Sequence, residues 1–120
     1  MDEEKGVEVV NEGDAVVVVF KSASVSEVDV ITTASNQIKE FIDANQPKKM
    51  IFDFESVKFF SSQVLGLLLD IRAKMKPYNG EVVISAINPQ LHRVFKITNL
   101  DKVFRFFPDK ESAFQAMNTA

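Results

Sequence analysis

The chain has no cysteine and a single histidine, His92. The lack of cysteine excludes a disulfide framework, a thiolate metal site and a cysteine nucleophile, and it is typical of a reducing compartment. One histidine cannot form a polyhistidine metal site. The four glycines stand far apart, so neither a Rossmann G-x-G-x-x-G loop nor a P-loop is present. We therefore expect no bound metal and no cofactor.

Long apolar runs and an excess of basic charge are also missing. Lys and Arg number 14 against 17 Asp and Glu, which gives a net charge of −3, whereas nucleic-acid binding requires a basic patch. No apolar segment approaches the ~20 residues needed to cross a bilayer, and residues 1–6 do not resemble a signal peptide. We expect a cytoplasmic protein that does not bind nucleic acid and has no membrane-spanning segment. Its 120 residues predict one domain over residues 1–120, with residues 1–6 as a flexible N-terminus.

The apolar pattern alternates between the periods of strands and helices. Valine-rich runs at 7–10 and 15–20, joined by a polar link containing Gly13, predict an antiparallel hairpin. Further strands are predicted at 50–54, 81–87 and 103–107, and residues 22–26 are predicted to form a loop. Four helices are predicted: one from residue 28 to before Pro47, one over 63–75, one opened by Asn88 and Pro89, and one opened by Pro108 and Asp109. This order predicts an α/β fold with a mixed, mostly parallel sheet and an N-terminal antiparallel edge hairpin.

The residue pattern offers no catalytic constellation. Asp53 and Glu55 alternate on a predicted strand, so they are expected to point to opposite faces rather than to act as an acid and base pair. His92 is expected on the exposed face of its helix, and the G-x-S-x-G sequence of a serine nucleophile is absent. The pattern therefore predicts a protein that is not an enzyme.

Two consecutive serines, Ser61 and Ser62, precede the Leu-rich helix at 63–75. A serine at a helix start can cap unsatisfied backbone N–H groups. A phosphate on that serine would instead meet those N–H groups and the positive end of the helix dipole, and its charge of about −2 would alter any surface docked there. Local sequence leaves both interpretations open. Of the preceding Phe59 and Phe60, one is expected to face outward beside this site.

Two blocks of the chain resemble a known family. The first, residues 51–67, reads IFDFESVKFFSSQVLGL, and the second, residues 87–104, reads INPQLHRVFKITNLDKVF. Both are similar to the motifs of the STAS domain, the fold of anti-sigma factor antagonists, in a variant with S-S-x-x-L-G in place of D-S-S-G. The resemblance implies a single STAS-like domain.

The resemblance also implies a function. In the family, the serine after the Asp of D-S-S-G is phosphorylated by an anti-sigma factor that is also a serine kinase of GHKL type, and the unphosphorylated antagonist binds that kinase and releases a sigma factor. The acceptor corresponds to Ser62, with Ser61 as the alternative. The implied partner-binding residues are Ser22, Ser24, Phe60, Ser61, Ser62 and Gln63.

Differences from the family motif keep other functions in consideration. Ser61 replaces the motif Asp, and Gln63 and Val64 replace the residues after the acceptor. The first alternative is a constitutive STAS scaffold or an accessory subunit of a stress-signalling or transporter complex, which would bind its partner regardless of Ser62→Asp. The second is a nucleotide-binding domain, for which the chain has no phosphate loop.

Overall fold

The computed structural model describes residues 6–13 and 15–118, and within them strands and helices alternate. The strands are β1 Val7–Glu12, β2 Ala15–Phe20, β3 Ser24–Val25, β4 Lys49–Asp53, β5 Phe59–Phe60, β6 Glu81–Ser85 and β7 Arg105–Phe107. The helices are α1 Val28–Asn45, α2 Gln63–Met75, α3 Pro89–Ile97 and α4 Lys110–Asn118, with 3₁₀ turns at Lys76–Tyr78 and Leu100–Lys102.

Five strands form one mixed sheet in the order β1-β2-β4-β6-β7. Strand β1 runs antiparallel to β2, and the pairs β2–β4, β4–β6 and β6–β7 are parallel. Gly13 has a φ of 63° in the turn between β1 and β2, a conformation that side chains with a Cβ rarely adopt. The predicted α/β fold, with a mostly parallel sheet and an antiparallel edge hairpin, is confirmed.

The two faces of the sheet bury separate clusters because strand side chains alternate. The larger cluster includes Ile38 of α1, Leu68 of α2 and Phe95 of α3. The smaller cluster joins alternate strand residues to Ala113 and Met117 of α4. Helix α4 therefore lies on the opposite face from α2, the helix that follows Ser62.

Local capping explains where the helices begin. The Asn88 Oδ1 atom accepts a hydrogen bond from the Leu91 N–H at 2.9 Å, as its place before Pro89 predicts. The Asp109 Oδ1 atom accepts one from the Ser112 N–H at 2.7 Å, so α4 begins at Lys110 rather than at Pro108. The bond from the Ser112 N–H favours the ionised carboxylate and lowers the pKa of Asp109.

Several predicted boundaries are wrong where an element is very short. Residues 22–26 do not form only a loop, because they contain β3. The strand predicted over 103–107 begins at Arg105, since Leu100–Lys102 forms a 3₁₀ turn. In the predicted flexible N-terminus, residues 1–5 lie outside the described residues, while Gly6 is buried and its carbonyl accepts the Lys21 N–H at 3.3 Å.

The prediction that His92 lies on the exposed face of its helix is wrong. Its ring is half-buried, with its centroid 4.3 Å from that of Phe106. The aromatic contact between α3 and β7 explains this placement, which helical periodicity within α3 does not reveal.

Candidate functional site

Ser62 lies immediately before α2 and is exposed. Its φ and ψ of −61° and −17° are already helical, and its hydroxyl makes no capping hydrogen bond. A capping serine usually has an extended backbone, which directs its oxygen back to the N–H groups of the first turn. The Ser62 hydroxyl therefore does not cap α2, and the residue is accessible from solvent.

Ser61 has the opposite environment, although it is the adjacent residue. Its Oγ atom is buried and has no hydrogen-bond partner within the described part of the chain. The backbone of Ser61 is held on both sides: its N–H donates to the Val25 carbonyl and its carbonyl accepts the Val64 N–H, both at 3.0 Å. Of the two adjacent serines, Ser62 is thus the exposed residue, and Ser61 has its hydroxyl buried.

The buried Ser61 hydroxyl leads to a stability prediction. Ser61→Ala removes a polar atom that lost its water on folding and gained no partner, so we expect the free energy of unfolding to rise by about 1 kcal/mol. Urea denaturation followed by circular dichroism measures the change, with Ser62→Ala as the matched control on an exposed hydroxyl. A lower stability of Ser61→Ala than of the wild type would contradict the prediction.

The segment around Ser22 and Ser24 lies beside the segment that leads into the serine pair. Strand β3 pairs in parallel with β5, with Ser24 opposite Phe59 and Val25 opposite Phe60. The Lys58 and Phe59 N–H groups both donate to the Ala23 carbonyl, at 2.7 and 3.2 Å. The Ser22 Oγ donates to the Ser24 carbonyl at 2.9 Å and accepts the Ser24 N–H at 3.3 Å. This two-stranded sheet holds the predicted serines of both segments together at one end of α2.

The structure corrects the aromatic residue of the predicted partner surface. Phe60 is 5% exposed and packs against Phe54 and Phe95, with centroid distances of 5.9 and 6.0 Å, so its ring is not available at the surface. Phe59 is 54% exposed. The expectation that one of the two rings faces outward is confirmed, and the outward ring is Phe59.

A groove of about 370 Å³ between α1 and α2 begins at Gln63, directly after Ser62. Its apolar floor includes Ile31 and Leu67. At Gly66 a Cβ atom would meet no other heavy atom within 4 Å, so this glycine leaves the groove open without being required by packing. The remaining lining residues are polar: Thr32, Ser35, Asn36 and Asp70. Sequence reasoning did not identify this groove, because it depends on how the two helices pack.

The prediction that Asp53 and Glu55 alternate on one strand is wrong. Strand β4 ends at Asp53, so Glu55 lies in the following turn, and both residues line a cavity of about 410 Å³ at the carboxyl end of the sheet. Asp53 Oδ1 accepts the Glu55 N–H at 3.2 Å and the Ser85 hydroxyl at 3.5 Å. Lys110 lines the same cavity, and its ion pair with Glu12 at 3.1 Å raises its pKa. Across residues 6–13 and 15–118, no group of three or more His, Asp or Glu side chains is arranged to hold a metal ion.

The fold and the two motif blocks have a match among known families. The sequence pattern of the STAS domain matches residues 8–113. The chain belongs to the STAS domain family. This match extends from β1 to the first part of α4 and includes Ser61, Ser62 and the α1–α2 groove.

The individual relatives share a low sequence identity with this chain. An anti-sigma F factor antagonist of Paenibacillus polymyxa is 23% identical over 77 residues, which are 64% of this chain and 66% of that protein. The chain thus aligns with slightly less than two thirds of the curated relative. A STAS domain protein of Planctomyces limnophilus, described as an anti-sigma-factor antagonist, superposes with a TM-score of 0.83 at 23% identity, covering 94% of this chain and 98% of that one.

Two other solved structures show how widely this fold is used. The phosphorylated form of SpoIIAA, a cell fate determinant of Bacillus, has a TM-score of 0.72 at 18% identity and covers 93% of this chain and 99% of its own. The STAS domain of a SulP transporter from Vibrio cholerae has a TM-score of 0.69 at 16% identity, covering 92% and 85%. At these identities the structures establish the fold alone. No helix among the described residues is long and apolar enough to span a membrane.

Proposed function

We propose that the protein is an anti-sigma factor antagonist whose partner is an anti-sigma factor with serine-kinase activity of GHKL type. In its unphosphorylated form it binds that partner and releases a sigma factor. Phosphorylation of Ser62 ends the interaction. The observation that carries this proposal is the exposed Ser62 hydroxyl, which makes no capping hydrogen bond at the start of α2.

The position of Ser62 suits a reversible phosphoryl group. In the transfer, the Ser62 Oγ forms a bond to the γ-phosphorus of ATP as the bond to ADP breaks, and the hydroxyl proton passes to a base on the kinase. The phosphate then lies at the positive end of the α2 dipole, which favours negative charge. The domain therefore stays folded while about two negative charges appear on its surface.

The surface around Ser62 contains the features of a protein-binding site. The exposed Phe59 ring is an apolar anchor, and aromatic side chains contribute strongly at interface centres. The α1–α2 groove beside Gln63 offers apolar floor atoms within a polar rim. Ser22 and Ser24 add hydroxyl groups from the neighbouring segment. A partner that covers these residues would desolvate Ser62, so a phosphate there would be buried without a matching cation.

Phosphate mapping tests the acceptor directly. The wild-type protein and the variants Ser61→Ala and Ser62→Ala are incubated with ATP and the serine-kinase anti-sigma factor of the source organism, and modified peptides are sequenced by mass spectrometry. We expect phosphate on Ser62 in the wild type and in Ser61→Ala, and none in Ser62→Ala. Phosphate on Ser61, or no phosphate on any of the three proteins, would contradict the proposal.

A constitutive scaffold or accessory subunit is the second candidate. It is favoured by the replacement of the motif Asp by Ser61 and by the similar fold of a transporter STAS domain. In that function the partner would bind Ser62→Asp and the wild type equally. The two candidates therefore differ in the effect of a single charge at Ser62.

A further inference from the structure

The loop between β4 and β5, residues 54–58, carries the chain from the sheet to Phe59 and the serine pair. Its first residue still extends the ladder to β6, since the Phe54 N–H donates to the Ser85 carbonyl at 2.9 Å. The Val57 N–H then donates back to the Phe54 carbonyl at 3.0 Å, which closes a turn. The orientation of Phe59 therefore depends on what holds the far end of this β4–β5 loop.

Asn88 holds the far end of the β4–β5 loop from the start of α3. Its Nδ2 atom donates to the Val57 carbonyl at 3.4 Å, while its Oδ1 atom accepts the Leu91 N–H at 2.9 Å. The cap of a helix needs only a side-chain oxygen, so an aspartate would cap α3 as well as an asparagine does. The bond to Val57 needs the nitrogen, because a carboxylate has no donor. Capping therefore does not explain the contact between Asn88 and the loop.

The backbone around Asn88 is itself fixed. Ala86, two residues earlier, has a φ of 58°, a left-handed conformation that residues with a Cβ rarely adopt. The Ala86 N–H donates to the Phe107 carbonyl of β7 at 3.0 Å, and the Asn88 carbonyl accepts the His92 N–H at 2.9 Å. A strained residue persists only where its surroundings hold it in place. The chain from β6 into α3 is therefore a firm support for the Asn88 amide.

Helix α3 also supports the site at a second point. The ring of Phe95 packs against that of Phe60, with 6.0 Å between the centroids, so α3 has an apolar contact with β5 in addition to the polar contact with the loop. The segment before β3 holds the same loop through the Ala23 carbonyl, which accepts the Lys58 and Phe59 N–H groups. The end of the β4–β5 loop is thus tied both to α3 and to the segment before β3.

We propose that Asn88 is a positioning residue for partner recognition. Through Val57, its amide keeps the β4–β5 loop in the conformation that presents the exposed Phe59 ring close to Ser62. This inference rests on the proposed function, in which that surface binds the serine-kinase anti-sigma factor. A surface that is already in its binding conformation loses less conformational freedom on docking, and it therefore binds more tightly than a loose one.

Hydrogen exchange of the full chain, followed by NMR, tests the hold of Asn88 on the loop. Asn88→Asp keeps an oxygen that caps α3 and replaces the donor by a second oxygen, which repels the Val57 carbonyl. We expect the Lys58 and Phe59 amides to exchange at least about tenfold faster in this variant than in the wild type, because local opening of the loop becomes easier. Unchanged exchange at both amides would overturn the proposal.

Asn45→Asp is the matched control. The Asn45 Nδ2 atom also donates to a backbone carbonyl, that of Phe41 at 3.0 Å, but at the end of α1. The substitution adds the same charge and removes the same kind of bond, and it should leave exchange at Lys58 and Phe59 unchanged. Urea denaturation confirms that both variants are folded. Equal acceleration of these two amides in Asn45→Asp and Asn88→Asp would indicate a general loss of stability and would refute a specific role of Asn88.

Phosphorylation kinetics with the serine-kinase anti-sigma factor of the source organism test the effect on recognition. Asn88→Asp should raise the KM for phosphorylation of Ser62 about tenfold and change kcat by less than about twofold, because a loosened loop weakens docking of the whole surface. The backbone bonds of Ser61 do not involve Asn88, so the acceptor should keep its place at the start of α2. Asn45→Asp should keep the wild-type KM, which excludes a general effect of negative charge.

The kinetics also separate failure of this inference from failure of the proposed function. If the wild type is phosphorylated and Asn88→Asp has the same KM, Asn88 has only a structural role, and the inference alone is wrong. If the wild type is not phosphorylated, the proposed function is wrong, and the positioning role of Asn88 is refuted with it.

Discussion

Ser62→Asp is expected to lower affinity for the serine-kinase anti-sigma factor by at least about 100-fold, because it places an unmatched carboxylate in a surface that the partner desolvates. Ser62→Ala should retain binding close to that of the wild type, since the Ser62 hydroxyl makes no capping hydrogen bond whose loss would disturb α2. Isothermal titration calorimetry with the purified partner measures both affinities. Phosphoserine carries more charge than aspartate, so the modified protein should bind still more weakly.

A control variant distinguishes a local effect from a general effect of negative charge. Gln115 is exposed on α4, on the opposite face of the sheet from α2. Gln115→Glu adds the same charge as Ser62→Asp and should change the affinity by no more than about twofold, since exposed charges beyond a Debye length are largely screened. Equal loss of binding in both variants would indicate long-range repulsion. Unchanged binding of Ser62→Asp would favour the scaffold function.

The main architecture is predictable from the sequence because long elements carry strong periodic signals. Helix α2 occupies the predicted residues 63–75, since its apolar spacing is regular and the chain after it contains Pro77 and Gly80. The strands β3 and β5 carry no such signal. Each of these strands has only two residues. Their pairing places Ser24 opposite Phe59, 35 positions further along the chain, and therefore depends on the rest of the fold.

The candidate site is predictable in its position but not in the orientation of its side chains. The motif identifies Ser62, yet only the tertiary structure shows that its hydroxyl is exposed and that the Ser61 hydroxyl is buried. Likewise, alternation requires Phe59 and Phe60 to point in opposite directions without saying which one faces the core. The contacts of Phe60 with Phe54 and Phe95 decide that question, and they join residues distant in sequence.

Phe59→Ala and Phe60→Ala form a matched pair with opposite expected effects. Phe60→Ala removes a buried ring that touches two other aromatic rings, so it should lower the free energy of unfolding by about 3–5 kcal/mol. Phe59 is 54% exposed, so Phe59→Ala should change that free energy by less than about 0.5 kcal/mol. Urea denaturation of both variants measures the difference. Similar losses of stability in the two variants would contradict the assigned orientation of the rings.

The same pair separates folding from recognition. Phe59→Ala should weaken binding of the anti-sigma factor by about 2 kcal/mol, or roughly 30-fold, because an exposed aromatic anchor at an interface centre loses its contact area. Calorimetry with the folded Phe59→Ala protein tests this value. If Phe59→Ala bound the partner as tightly as the wild type does, the partner would not contact β5, and Phe59 would not be part of the binding surface. Because Phe59→Ala changes no charge, a loss of binding in this variant and in Ser62→Asp would have independent causes, and together they would define one surface at the start of α2.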